Sequence, residues 1–346
     1  MPKKIVKVPF AEYVKKKAHI DVSSSEVSQV TQHNMLDSVR FVHNALPEIN
    51  FSDIDLSANF FGKAIAAPFF IASMSGGIKE GQRLNELLAI SAQQHNIPFC
   101  LGSLKLLVED ATNYKHFNVR PFAPDIPIFG NIGATYLKTK QARLQLLRVL
   151  EKLQCDGCYI HLNPMQEVFQ KGGDTDWKFV AQGIASFIKE SNIPVIVKEV
   201  GHAISVPVAK RLISLGVKTI DIAAQGGTSW IKVESLINQD LERQKTDEPF
   251  YDWGQDLVTS LIDFQHANLP IDIVASGGVR NGLDVAKSLA LGAKYVSAAY
   301  PFLRAAQNGE QALDNCIEGW KAQLKIAMFG VGIDKIDQLN SHLLRV

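Results

Sequence analysis

Between Gly157 and Asp176 the sequence reads GCYIHLNPMQEVFQKGGDTD, and four hydrogen-bonding side chains, His161, Asn163, Gln166 and Glu167, fall within seven positions. Cys158, Tyr159 and Ile160 have the aromatic and β-branched character of a buried strand. Pro164 cannot continue a central strand, so the chain must turn there. An imidazole, two amides and a carboxylate gathered where a strand gives way to a loop are how a parallel α/β fold builds a site. Such a set can bind an anion, orient a substrate, hold a cation or move a proton. Gly172 and Gly173 loosen the loop, and Asp174 or Thr175 is placed to cap the next helix.

Other residues point to a phosphorylated ligand. A Gly277-Gly278 turn followed by a helix, with Ala298 and Ala299 after a later strand, lets backbone N–H groups come close to a phosphate. Lys198 ends the hydrophobic run PVIVKEV and needs a negative or strongly accepting partner if it is buried. A lysine so placed suits the negative charge that a reduced flavin carries near N1. Asn131, Ser103 and Ser75 can hydrogen-bond the edge of a ring, while Met74, Gly76 and neighbouring glycines offer it a close face. From the residues alone, the expectation is a site for a flat phosphorylated cofactor, with FMN the best fit.

The elements that must position these residues recur with a regular rhythm. Candidate strands lie at 67–73, 98–103, 127–133, 157–163, 194–200, 219–225, 271–278 and 295–300. Segments of helical period or length separate most of them, at 81–95, 137–154, 176–191, 205–215 and 282–291, with a final one at 310–328. Eight short apolar strands alternating with helices predict an α/β fold, a (β/α)8 TIM barrel. Residues 1–66 read as an N-terminal arm and capping extension, and 67–346 as the barrel. Within the extension a helix is expected near Asn34–His43. A hairpin turning at Gly62-Lys63 is expected between 51 and 70, as a floor or a lid. A charged insertion spans 232–253.

Composition narrows the alternatives. At 346 residues, 46% hydrophobic and 21% charged, the chain has ample core for a globular protein. A net charge of +1 argues against a nucleic-acid partner. No apolar run reaches the ~18 residues of a membrane span, and MPKKIVKVPF lacks the apolar region of a secretory signal. Four cysteines do not suggest a disulfide framework, so a cytoplasmic setting is expected. Cys155 and Cys158 read as two thiols at a helix end and a strand start. A 2-hydroxy-acid oxidase would place a histidine base in an H-G-G segment after the sixth strand. Here that segment is Gln225-Gly226-Gly227-Thr228, which argues against such an oxidation.

Taken together, HLNPMQE (161–167), MSGG (74–77), GNIGA (130–134), VKEVG (197–201), AAQGGTSW (223–230) and SGGVR (276–280) resemble the flavin-dependent, type 2 isopentenyl-diphosphate delta-isomerases. The resemblance runs from about Val14 to near the C-terminus. It implies interconversion of isopentenyl and dimethylallyl diphosphate for isoprenoid synthesis, with reduced FMN as acid/base, Mg2+ on the diphosphate and NADPH as reductant. Gln166 would assist proton transfer beside His161, and Glu167 would be the metal ligand. Lys15, Lys16, His19, His161, Asn163, Gln166 and Ser205 would bind substrate. FMN would be held by Met74, Ser75, Gly76, Ser103, Asn131, Lys198 and Thr228, with Gly277, Gly278, Arg280, Ala298 and Ala299 completing its site. A homo-oligomer, tetramer or octamer, is implied as well. The chain departs from the family pattern at Lys15, Ala18 and Lys105, and at Val200-Gly201-His202-Ala203-Ile204-Ser205, where the family reads V-G-x-G-I-S.

Overall fold

Apolar runs too short for helices become eight parallel strands in the computed structural model, which describes residues 10–30, 34–74 and 77–345. The barrel strands are β1 (Phe69–Ile71), β2 (Phe99–Ser103), β3 (Ile128–Gly133), β4 (Gly157–His161), β5 (Val195–Lys198), β6 (Thr219–Asp221), β7 (Asp272–Ala275) and β8 (Tyr295–Ala298). They pair in chain order, and β8 returns to β1 to close the barrel. Burial on both faces explains their nearly unbroken hydrophobicity. Helices wrap the outside at Lys79–Gln94, Lys140–Lys152, Val180–Glu190, Val206–Ser214, Leu257–Ala267, Gly282–Ala290, Tyr300–Gln307 and Glu310–Val331. The helices at 257–267 and 300–307 are additions to those expected from the sequence.

Inside the barrel Phe70, Cys100, Phe129, Tyr159, Ile196, Val274 and Tyr295 pack into one cluster with Phe60 and Ile65. The last two come from a hairpin, Ala58–Phe60 with Lys63–Ile65, whose turn is Phe61-Gly62. The turn lies one residue earlier than expected, because Gly62 supplies the left-handed backbone that it needs, at φ +92°. The Phe60 ring meets those of Tyr295 and Phe129 at 4.8 and 5.3 Å, near the starts of β8 and β3. The Tyr295 hydroxyl donates to the Asn59 carbonyl at 2.6 Å. The hairpin is therefore a floor under the N-terminal end of the strands, which leaves the C-terminal end open for a site.

Two local expectations are corrected. No helix spans 34–43: Asn34 caps a single 3-10 turn, Met35–Asp37, and Arg40–Phe41 then pairs antiparallel with Leu344–Arg345. Leu36 and Val39 are buried by that path, so packing decides against helix continuation. Neither Asp174 nor Thr175 caps a helix. The helix begins at Val180 behind Phe179, which sits at φ +65°, and the Asp174 N–H donates instead to Glu167 Oε2 at 2.7 Å.

Cys155, between a helix and β4, and Cys158, within β4, are free thiols. Burial pushes the Cys155 thiol up to about 12, so it stays protonated and unreactive. Among the described residues no helix is long and apolar enough to cross a membrane.

Candidate active site

The four side chains after β4 are held at the open end by a web of hydrogen bonds. His161 is the last residue of β4, and its Nδ1 lies 2.9 Å from Asn131 Oδ1 on β3. Burial, with the nearby charges of Lys198 and Lys16, holds its pKa down from 6.5 to about 3. The ring is therefore neutral, with Nδ1 donating to the amide oxygen. Pro164 starts a short helix, Pro164–Phe169, that carries Gln166 and Glu167. Asn163 Nδ2 donates to Glu167 Oε1 at 2.7 Å and to Gln166 Oε1 at 3.3 Å. The other oxygen of Glu167 takes the Asp174 N–H and, at 3.2 Å, Gln170 Nε2. Glu167 is thus oriented from both sides.

The neutral state of His161 has a measurable consequence. The unfolded chain binds a proton there near the ordinary value of 6.5, whereas the folded chain resists it down to about 3. Folding stability is therefore complete above pH ~6.5 and declines as the pH falls toward ~3, by about 1 kcal/mol per pH unit. His161→Asn is expected to flatten the acid limb of the ligand-free protein's stability between about pH 6 and pH 4.5, measured by urea unfolding. An equally steep limb in the variant would remove His161 from the acid sensitivity.

A carboxylate not singled out from the sequence joins the two halves of this web. Glu234, 2% exposed, stands on the helix Trp230–Asn238. Its Oε1 accepts from Gln166 Nε2 at 2.8 Å and lies 2.9 Å from His19 Nε2. His19 belongs to the N-terminal helix Phe10–Ser23, whose Ile20 and Ser23 line the cleft at the barrel mouth. Lys16 lies one turn back, close enough for its charge to act on His161. Lys15 is half-buried on the same helix. His19 also meets Trp230 edge-to-face at 5.8 Å, and Trp230 is part of the cleft wall.

The rest of that wall comes from strand ends. Met74, Lys198, Thr228, Gly277, Gly278, Arg280, Ala298 and Ala299 surround one concavity after β1, β5, β6, β7 and β8. Gly277 must be glycine: at φ +96° a Cβ would lie 2.0 Å from the Ala224 carbonyl oxygen. The segment after the N-terminal helix pins this side of the mouth. Gln29 donates to Thr228 Oγ1 at 3.0 Å and accepts from Arg280 Nη2 at 3.2 Å, and Asn34 Nδ2 donates to the Gly278 carbonyl at 2.7 Å. Ser103 and Asn131 pair in register at the ends of β2 and β3, outside the cleft wall, and Asn131 serves His161. Ser205 is exposed at the start of the helix Val206–Ser214, away from that wall. Ser75 and Gly76 lie outside the described residues.

The cleft suits a flat phosphorylated ring. Its wall carries a hydroxyl, Ser73 Oγ, that is buried with no partner and needs one from a ligand or water. Lys198 is half-buried there. Burial lowers its pKa, Asp221 and Glu199 oppose that effect, and its Nζ donates to the Glu199 carbonyl. Gln225, where a hydroxy-acid oxidase would hold its base, is buried with Nε2 unpartnered. Ala203 adopts φ +75° at a position where the family pattern has glycine, a strain of about 1 kcal/mol in the loop after β5. Among the described residues no three His, Cys, Asp or Glu side chains cluster to hold a metal. Glu167 stands as a carboxylate among amides, which suits a cation that takes its other ligands from phosphate and water.

Known proteins resemble this chain in sequence and in fold. The family described as FMN-dependent dehydrogenase matches residues 3–121 and 154–346. A protein of Nostoc sp. named isopentenyl-diphosphate delta-isomerase is 39% identical over 306 residues, covering 88% of this chain and 87% of its own length. Another of that name, from Vibrio parahaemolyticus, is 38% identical over 329 residues, covering 94% and 96%. The chain belongs to the flavin-dependent isopentenyl-diphosphate delta-isomerase family. Among solved structures, a flavocytochrome b2 mutant superimposes with a TM-score of 0.69 at 20% identity, over 96% of this chain and 82% of that one. A mandelate oxidase mutant gives 0.60 at 17%, over 95% and 91%. At such identities these two share the isomerase family's barrel only. The Gln225-Gly226-Gly227-Thr228 segment separates this isomerase-family chain from the hydroxy-acid oxidases expected to carry histidine there.

Proposed function

We propose that this protein interconverts isopentenyl and dimethylallyl diphosphate, using FMN in its reduced form and Mg2+. The observation that carries the proposal is the convergence of His161, Asn163, Gln166 and Glu167 with Lys16 and His19 beside a glycine-walled cleft that contains Lys198. Moving an unactivated double bond requires a proton added at one carbon and removed from another. Reduced FMN would supply that acid/base capacity beside an electron-rich ring.

The chain's own residues do the binding and positioning. Gly277, Gly278, Ala298 and Ala299 leave room for a phosphate against backbone N–H groups, with Arg280 beside them. Lys198 favours negative charge on the ring, while Met74, Ser75, Gly76, Ser103, Asn131 and Thr228 complete the flavin site. Lys15, Lys16, His19, neutral His161, Asn163 and Ser205 take the diphosphate, and Glu167 binds the Mg2+ that neutralises it. Gln166, fixed by Glu234, orients the reacting carbons beside His161. NADPH is the proposed reductant and the cytoplasm the proposed setting. A homo-oligomer, tetramer or octamer, is proposed as well, with the 232–253 segment as a contact, where Leu241 and Trp253 are 72% and 53% exposed.

The test is an anaerobic assay with purified protein, FMN, dithionite or NADPH, Mg2+ and labelled isopentenyl diphosphate. Conversion to the dimethylallyl isomer only with reduced flavin and metal is expected. Net NADPH turnover with a stable oxidised product would favour an FMN oxidoreductase instead.

A further inference from the structure

Asp221 has no role in the reading above, yet it is among the most deeply placed charges in the barrel. It ends β6, is 1% exposed, and stands opposite Lys198 in the β5–β6 register. Ser276 Oγ donates to its Oδ1, Ser297 Oγ to its Oδ2 at 3.2 Å, and the Ala223 N–H to Oδ1 at 3.2 Å. Hydroxyls from after β7 and on β8 therefore hold one carboxylate beneath the cleft, while Lys198, Ser276 and Ser297 line the cleft itself.

A carboxylate at this depth needs hydrogen bonds and a counter-charge. Burial pushes the Asp221 carboxyl up, and the Lys198 ammonium and the serine hydroxyls pull it back. Reciprocally, burial pushes Lys198 toward neutrality and Asp221 is the first group to oppose that. The Lys198 ammonium donates to the Glu199 carbonyl, so its position is fixed by that oxygen and its charge is balanced from below. The arrangement matters for a ring that gains negative charge on reduction. A buried lysine offers that ring an ammonium rather than a neutral amine only while a fixed counter-charge opposes its desolvation.

We propose that Asp221 is a positioning residue for the flavin cleft, supplying the fixed counter-charge through which Lys198 sets the balance between oxidised and reduced flavin. The proposal rests on the FMN reading above. It asks that Asp221 act through Lys198 rather than directly on the ring.

The test is the midpoint potential of FMN bound to the full-length protein, measured by equilibration with a reference dye. Wild type is compared with Asp221→Asn, Lys198→Met and the double variant. Asp221→Asn is expected to move the reduced-to-oxidised ratio at fixed poise about tenfold toward oxidised flavin, about 30 mV for a two-electron couple. Lys198→Met is expected to move it the same way and at least as far, and Asp221→Asn to have little further effect once Lys198 is gone. An unchanged ratio in Asp221→Asn overturns the proposal, and so does a shift toward reduced flavin or one of equal size with and without Lys198. Removing one member of a buried pair strands the other charge, whereas replacing both is milder. If Asp221→Asn alone does not fold, a folded double variant supports the pairing and an equally unfolded one overturns it. A wild type that takes up no FMN would strike the flavin reading, and the relative stabilities of the three variants would still decide the pairing.

Discussion

Glu167→Gln is expected to leave FMN bound and to lower Mg2+-dependent isomerisation by about 10^3-fold, roughly 4 kcal/mol of transition-state stabilisation. The size follows from the geometry of the carboxylate. One oxygen faces Asn163 Nδ2 at 2.7 Å, and the other faces the Asp174 N–H at 2.7 Å and Gln170 Nε2 at 3.2 Å. Five atoms of side chain are thus already in place, and binding a cation requires no rearrangement of the loop. Glutamine keeps the shape but presents one neutral oxygen in place of two anionic ones. Its amide nitrogen must also face at least one of those donors. A hard cation that keeps most of its waters depends on the anionic charge more than on the shape. Flavin absorbance should match wild type because Glu167 is absent from the cleft wall. Wild-type turnover with an unchanged Mg2+ requirement would remove Glu167 from the metal site.

The barrel was legible because its strands are buried on both faces. Each appears as a run such as FFI, IFGNI or YVSA, bounded by turn residues, and the period of strand and helix survives without any tertiary information. The N-terminal extension was less legible for the opposite reason. In NMLDSVRFVH the buried Leu36 and Val39 are three apart, a helical spacing, yet Arg40 and Phe41 find their backbone partners at Leu344 and Arg345. A contact across three hundred positions leaves no local mark. The hairpin was legible as a floor or a lid, but nothing local chose between the two: Phe60 reads like any surface aromatic until Phe129 and Tyr295 close around it.

In the site, the residues at strand ends were legible and those that hold them were not. Chemistry-bearing types at the C-terminal end of a strand stand out, as His161, Asn163 and Lys198 do. Glu234 was hidden within a segment read as a charged insertion. The signal was present, since Ile231, Glu234 and Ser235 share one buried face of the helix and a carboxylate on an apolar stripe needs an explanation. Asp221 offered a similar signal as an acid inside the strand TIDIAAQ. Gln29 and Asn34 offered none, because their bonds to Thr228 and Gly278 depend on where the N-terminal segment crosses the barrel mouth.

Gly277→Ala is expected to cost about 3–5 kcal/mol and to abolish FMN binding, and the contrast with a second glycine isolates the cause. Gly277 and Gly292 both adopt left-handed backbone, at φ +96° and +100°. An added methyl strains either one by about 1–2 kcal/mol through the backbone alone. At Gly292 nothing lies within 4 Å of the new Cβ, so Gly292→Ala should show only that strain. At Gly277 the methyl would stand 2.0 Å from the Ala224 carbonyl oxygen and 2.6 Å from its carbon. Both are backbone atoms after β6, and the Ala224 N–H is itself bonded to the Ser276 carbonyl at 2.8 Å. Relief therefore requires the ends of β6 and β7 to part, which would open the turn that brings backbone N–H groups to the flavin phosphate. Thermal melting of the two ligand-free variants should show the Gly277 shift at least about twice the Gly292 shift. Flavin should co-purify with the Gly292 variant alone. Equal melting and equal flavin content in the two proteins would show that the β6–β7 contact yields without cost, and the phosphate cradle would have to be sought elsewhere on the rim.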